Sequence, residues 1–453
     1  MNSKYTKYKF SGVEEIGEIP RHWESIRLGM LGIFSSSGID KKIIEGEPLV
    51  QMINYTDIVK NRKHKTVFGR DVDFMVVSSP QSRIEEHRLN KGDLVLLPSS
   101  ETDEDLGLSS LIDFDEEIVF SYHIIRFQFT REVYHYFKKY LVNHYTVLKQ
   151  FSSEGKGTTR QIIGRNVLRN VVVVLPTISE QKEIVKYLDE KTSHIDNLIL
   201  NTERKIELLQ KKRISLISWV VTKGLNSKIK FKESGSDWIG KVPSDWDIVK
   251  LKFLFRIIKI ISGELGHNVL SVTQKGIKIK NLDSNEGQHS MDYSKYQIVQ
   301  KGQFVMNHMD LLTGFIDISK FEGVTSPDYR VFESSNLPVN KKYYLYIFQY
   351  CYWNRIFYSL GQGVSNLGRW RLPSDEFKDF LLPYPEVEEQ NRIVDFLDKK
   401  TQDIDTLISI EQRRIDTLKE YRQSLISEVV TGKVRVCKED LSKKSTNTIL
   451  QLS

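Results

Sequence analysis

The stretch Glu-Gly-Lys-Gly-Thr-Thr-Arg at 154–160 gathers Lys156, Thr158, Thr159 and Arg160 around two glycines. Ammonium, hydroxyl and guanidinium groups on a backbone free of bulk are suited to holding phosphate-like anions. A second basic run, 55–70, carries Lys60, Arg62, Lys63, Lys65 and Arg70 and reads as a loop or ribbon. On charge alone, a solvated turn explains that run equally well. Lys275, Lys278 and Lys280 fall in 271–281, where the alternation also suits an exposed strand. Residues 361–371 bring Gly361 and Gly363 together with Ser365, Asn366, Arg369 and Arg371. Such groups bind polyanions and do not make a catalytic set. No GxxxxGK[ST] loop occurs, and the ten histidines form no HxxxH or HExxH pair, so no metal site is expected. Glu376 and Lys378, with Asp328 upstream, match a nuclease core loosely and have no counterpart elsewhere in the chain. The acidic stretch 101–117 holds eight carboxylates and no base, and reads as a solvated or partner-facing loop.

The elements that would carry these residues are written twice. Residues 176–222 align without a gap to 385–431, with 24 identities in 47 positions. An upstream box at 11–31 parallels 234–254, matching Gly17 to Gly240, Pro20 to Pro243 and Trp23 to Trp246. The two tryptophans read as core or junction residues. "NKGDLVL" at 90–96 echoes "QKGQFVM" at 300–306, while the rest of each middle diverges. Each copy therefore has a constant opening box, a variable body and a constant closing helix. Each closing segment shows a heptad-like apolar stripe. It comprises Ile184, Leu188, Ile195, Ile206, Leu209 and Leu216 in the first copy, and Ile393, Leu397, Ile404, Ile415, Leu418 and Leu425 in the second. The spacing predicts a stutter near 198–202, with Lys191 in one seam place. Helices of about 40 residues with one apolar stripe need a partner, and pairing of the two copies as an antiparallel coiled coil is expected. The expected architecture is α/β (α+β). Globular domains cover 1–177 and 225–384, the helices cover 178–224 and 385–432, and a tail covers 433–453.

The chain has 453 residues, enough for two to four domains, with a net charge of +7 that permits a polyanionic partner without requiring one. No apolar run is long enough to span a bilayer, and no apolar stretch follows the start. Two cysteines without a CxxC suit a reducing compartment, so a cytoplasmic location is expected.

The order of opening box, variable body, "LP…EQ..IV..LD.KT..ID.LI" and then the whole again resembles the specificity subunit of type I restriction–modification enzymes. The resemblance runs from residue 11 to about 434. It implies two target recognition domains, each reading one half of a split site in double-stranded DNA. The helices would act as spacer and as dock for two methyltransferase subunits, and restriction–translocase subunits would join that core. S-adenosylmethionine, Mg²⁺ and ATP would bind to those partners and not to this chain. Family members carry a Gly-x-Thr-Arg stretch before the closing helix, which favours Lys156, Thr158, Thr159 and Arg160 as DNA contacts. The second copy lacks Thr-Thr-Arg at that place. An Asn/Asp-Pro-Pro-Tyr/Phe methyltransferase motif is not matched by "LLPYPE" at 381–386. Two other readings stay open: a coiled-coil adaptor without DNA contact, and a nuclease acting on its own.

Overall fold

The computed structural model describes residues 4–61, 66–102, 105–226, 228–282, 292–363 and 370–436. The chain forms two compact units, residues 1–201 with 414–453, and residues 202–413. Each unit thus combines one body with half of each long helix.

The bodies differ in sequence yet build on one sheet. In the first, the strand order is Gly32–Ser36, Ile125–Phe129, Leu94–Leu96, Ser109–Ile112 and Val67–Phe68. In the second it is Phe255–Ile258, Arg330–Ser334, Phe304–Met306 and Ile316–Ile318. The central strands are the echoing segments of the sequence, and all six of their residues are fully buried. Their lead-in turn explains the echo. Gly92 and Gly302 have φ of +96° and +86°, which glycine adopts at little cost. Lys138 Nζ donates to the Gly92 carbonyl at 2.9 Å, and Lys341 Nζ to that of Gly302 at 2.8 Å. The Asp93 carboxylate accepts from the Asn90 N–H, as the Gln303 amide oxygen does from the Gln300 N–H.

Long helices run over Ile178–Lys223 and Val387–Val430, 46 and 44 residues. Their repeated residues fasten each helix start to its body. Gln181, buried, donates to the Pro176 carbonyl and accepts from the Tyr134 N–H, both at 2.8 Å. Gln390 does the same between the Pro385 carbonyl and the Asn340 N–H. Asp189 takes Lys139 and Tyr140, each at 2.6 Å, and Asp398 takes Lys342 and Tyr346 at 2.6 and 2.7 Å.

Within each unit the helix halves pair antiparallel. Asp196 bonds Arg422 at 2.8 Å in the first unit. In the second, Arg213 lies 3.1 Å from Asp405 as an ion pair without hydrogen-bond alignment, and stacks 5.1 Å over Trp353. Shifting by 209 maps one pair onto the other, so the repeat encodes the pairing as well as the helices. Half-exposed pairs of this kind contribute about 0–1 kcal/mol each; burial of the stripe does most of the stabilising. Ile184, Leu188, Ile195, Ile393, Leu397, Ile404, Ile415 and Leu425 are buried, and Ile206, Leu209, Leu216 and Leu418 are partly buried.

The predicted stutter is misplaced. The inward positions are 192, 195, 199, 202, 206, 209, 213, 216 and 220, an unbroken alternation of three and four. The only four–four step is 184, 188, 192. Thr192 and not Lys191 fills that seam place, returning its hydroxyl to the Leu188 carbonyl at 2.7 Å. Thr202 and Arg213 fill others. The second helix repeats this with Thr401, Glu411 and Arg422. The apparent break arose because polar residues occupy seam places. Two further expectations fail. Residues 55–61 form a helix, not a loop, since the Asn54 side chain accepts from the Thr56 N–H and Asp57 answers at the Asn54 N–H. Within 101–117, Ser109–Ile112 is a buried strand, not a solvated loop.

Each long helix ends beside a tryptophan. Gly432 has φ +74°, and an added Cβ would lie 2.3 Å from Pro20 Cδ and 2.9 Å from Trp23. Gly224 has φ +73°, but its Cβ would meet Trp246 at 3.1 Å. Gly432→Ala should therefore cost about 2–4 kcal/mol and Gly224→Ala about 1 kcal/mol. Equal shifts in urea midpoint would contradict this packing.

Candidate nucleic-acid interface

In each unit an antiparallel backbone bridge, closing a hairpin in the first, follows the body helices and precedes the closing strand. In the first, Lys156 and Ile162 exchange backbone hydrogen bonds at 3.2 and 2.9 Å. In the second, Gln362 and Arg371 do so at 2.9 and 3.0 Å. Both rest on the turn after the central strand, the Ile163 N–H on the Pro98 carbonyl at 2.8 Å and the Leu372 N–H on the His308 carbonyl at 3.0 Å.

The hairpin itself accounts for the glycines at 155 and 157. A Cβ on Gly157, at φ +134°, would sit 2.1 Å from the Arg160 carbonyl oxygen, and one on Gly155 would sit 2.5 Å from the Gln161 side chain. Lys156, Thr158 and Thr159 are exposed at the tip. Arg160 is half-buried: Nε donates to the Ser99 hydroxyl at 3.1 Å, and its guanidinium lies 4.9 Å from the Tyr55 ring centre. It thereby joins the hairpin to the helix Tyr55–Asn61, on which Lys60 is exposed. Arg62, Lys63 and Lys65 lie outside the described residues.

Sequence reasoning missed three neighbours. Tyr122 is 49% exposed and packs 3.9 Å from the His123 ring centre. Burial, then Lys41 and Arg160, holds the His123 pKa below its ordinary value. Tyr122, His123 and Lys41 thus bring an exposed ring and two more nitrogen groups toward Arg160. An aromatic pair interrupting an apolar run, "VFSYHII", was the available signal.

In the second unit, Lys275 and Lys278 are exposed on the hairpin formed by Leu270–Thr273 and Gly276–Ile279. Gln274 reaches the Thr313 carbonyl at 3.4 Å, and the Leu311 N–H reaches the Trp370 carbonyl at 3.2 Å. The 270–279 hairpin and Trp370 therefore both touch the 307–314 segment. Arg371 is exposed, whereas Ser365, Asn366 and Arg369 lie outside the described residues. Among the described residues, no group of three or more His, Cys, Asp or Glu side chains could hold a metal. No described helix is long and apolar enough to cross a membrane.

The family described as type I restriction modification DNA specificity domain matches residues 20–210 and 243–420, one match on each copy. The chain belongs to that family. Two curated relatives, both from Methanocaldococcus jannaschii, are similar to it. The protein described as type I restriction enzyme MjaX specificity subunit is 25% identical over 93% of this chain and 96% of its own length. The MjaVIII specificity subunit is 26% identical over 63% of this chain and 67% of its own. A chain from a structural study of complex assembly and conformational transition of the type I R-M system matches with TM-score 0.65 and 15% identity. That match covers 91% of this chain and 98% of the other, and shows that the fold is shared. The family is defined by DNA specificity, so the chain is a specificity component and not a catalytic one.

Proposed function

We propose that this chain is the DNA-recognition subunit of a type I restriction–modification assembly, with each body reading one half of a split site. The observation that carries this reading is the recurrent backbone bridge, Lys156–Ile162 in one unit and Gln362–Arg371 in the other. One frame presents different side chains: Lys156, Thr158, Thr159 and Arg160 in one body, and Arg371 with the neighbouring Lys275 and Lys278 in the other. A shared frame with unlike side chains suits two unlike half-sites. Base edges accept Arg, Lys and Thr contacts, and phosphates accept the same groups without regard to sequence. The paired helices hold the gap between half-sites and offer their outer faces to two methyltransferase subunits, with restriction–translocase subunits joining for cleavage. S-adenosylmethionine, Mg²⁺ and ATP serve those partners in the cytoplasm. The domain limits 1–177 and 225–384 follow the same scheme.

DNA binding by the chain with its methyltransferase partner should weaken steeply with salt. Absence of DNA binding at every salt concentration would favour the adaptor reading. Arg160→Ala should weaken binding by about 1–3 kcal/mol if Arg160 reads a base, with relaxed preference at one position of one half-site. Unchanged affinity and unchanged preference would remove Arg160 from the interface.

A further inference from the structure

Arg330 is a buried cation without an acidic partner among the described residues. It stands opposite Met306 in the central sheet and is 3% exposed. Nη2 donates to the Leu372 carbonyl at 3.1 Å and the Ser374 hydroxyl at 3.3 Å, and the guanidinium lies 4.4 Å from the Phe377 ring centre. Nη1 is buried with no hydrogen-bond partner, and so is Nδ1 of the neighbouring His308. An ionised group held this way destabilises the fold unless an anion offsets it.

The frame does not call for this charge. At the same register the first unit places Ile125 opposite Leu96, and Pro98 stands where the second has His308. Further cations stand near it in the second unit. Arg371, adjoining Leu372, is exposed at the rim, and Lys259 is exposed as well. Burial, then Arg330, Arg371 and Lys259, pushes His308 down to about 3, so it is neutral at physiological pH.

We propose that Arg371, backed by Arg330 and His308, seats one backbone phosphate of DNA beside the Gln362–Arg371 bridge, a contact the first body lacks. This rests on the reading of the chain as a DNA-binding subunit. Arg371 makes the contact at the rim. Arg330 is a positioning residue: it holds the chain next to Arg371 through Leu372 and Ser374, and adds positive field in a low-dielectric setting. The phosphate supplies a counter-charge that Arg330 lacks among the described residues.

The test uses the full chain, a random-sequence DNA duplex followed by fluorescence anisotropy across a salt series, and thermal melting with and without inorganic phosphate. Arg330→Ile copies the residue of the first body. It should melt at the same or a higher temperature than the parent, yet bind duplex at least about threefold more weakly, with a log–log salt slope flatter by about one. Arg371→Ala should flatten the slope equally, and Arg330→Lys should keep it. Inorganic phosphate should raise the melting temperature of the parent and not of R330I. Parent-like affinity and slope in R330I would refute the phosphate seat while leaving DNA binding intact. Failure of the parent to bind duplex would instead overturn the DNA-binding reading. Phosphate protection of the parent with no DNA loss in R330I would mark a site for free phosphate only, and refute the DNA contact. Should R330I not fold, parent-like DNA binding by R371A refutes the seat.

Discussion

Removing one heptad from each long helix, 202–208 and 409–415, should move modification to sites whose gap is about three base pairs shorter. The deletions contain Lys205 and Glu411, which bond at 2.6 Å. They remove that pair whole, so no buried carboxylate is stranded, and they spare Asp196–Arg422 and Arg213–Asp405. Ile199 then precedes Leu209 by three places, and Ile408 precedes Leu418 by three, so the seam stays continuous. Each helix loses about 10.5 Å, which corresponds to about three base pairs at 3.4 Å each. Modification at the original spacing should vanish while both half-sequences persist. A four-residue deletion at 199–202 and 408–411 should instead disrupt pairing, because the seam has no stutter there to absorb it. A folded heptad variant that still modifies the original spacing would show that the helices do not set the gap.

Replacing the first body, from Gly32 through the hairpin to Ile163, with the body of a relative should change one half-site entirely and leave the other untouched. Both flanks of this segment belong to the constant frame. Before it, Glu24–Arg27 pairs with Val172–Leu175, and beyond it Gln181 and Asp189 bind the body through Tyr134, Lys139 and Tyr140. The last three lie inside the exchanged segment, so the donor must supply an amide at 134 and groups able to bond Asp189. Sequencing of modified sites reports the outcome. Changes in both halves would mean that the bodies do not read independently.

The repeat, the long helices and the opening boxes were legible because their residues do the same structural work twice. Gln181 and Gln390, Asp189 and Asp398, and Trp23 and Trp246 each make equivalent contacts, and matched contacts keep matched side chains. The common sheet was hidden because its strands only have to be apolar and short: Leu-Val-Leu and Phe-Val-Met fill the same places. The seam was misread where Thr202, Arg213, Glu411 and Arg422 sit inward, since an apolar stripe cannot reveal polar residues that face the partner helix. Arg160 was read as a DNA contact, yet part of its work is internal, through Ser99 and Tyr55. Arg330 was invisible in the sequence. An arginine in an apolar run looks like an outward-facing residue until the sheet register turns it inward.

The most direct test of the account is a map of modified bases in a host genome carrying this chain with its methyltransferase partner. One split motif is expected, two fixed half-sequences around a constant gap, lost when the chain is deleted. A single undivided motif, or a map unchanged without the chain, would contradict it.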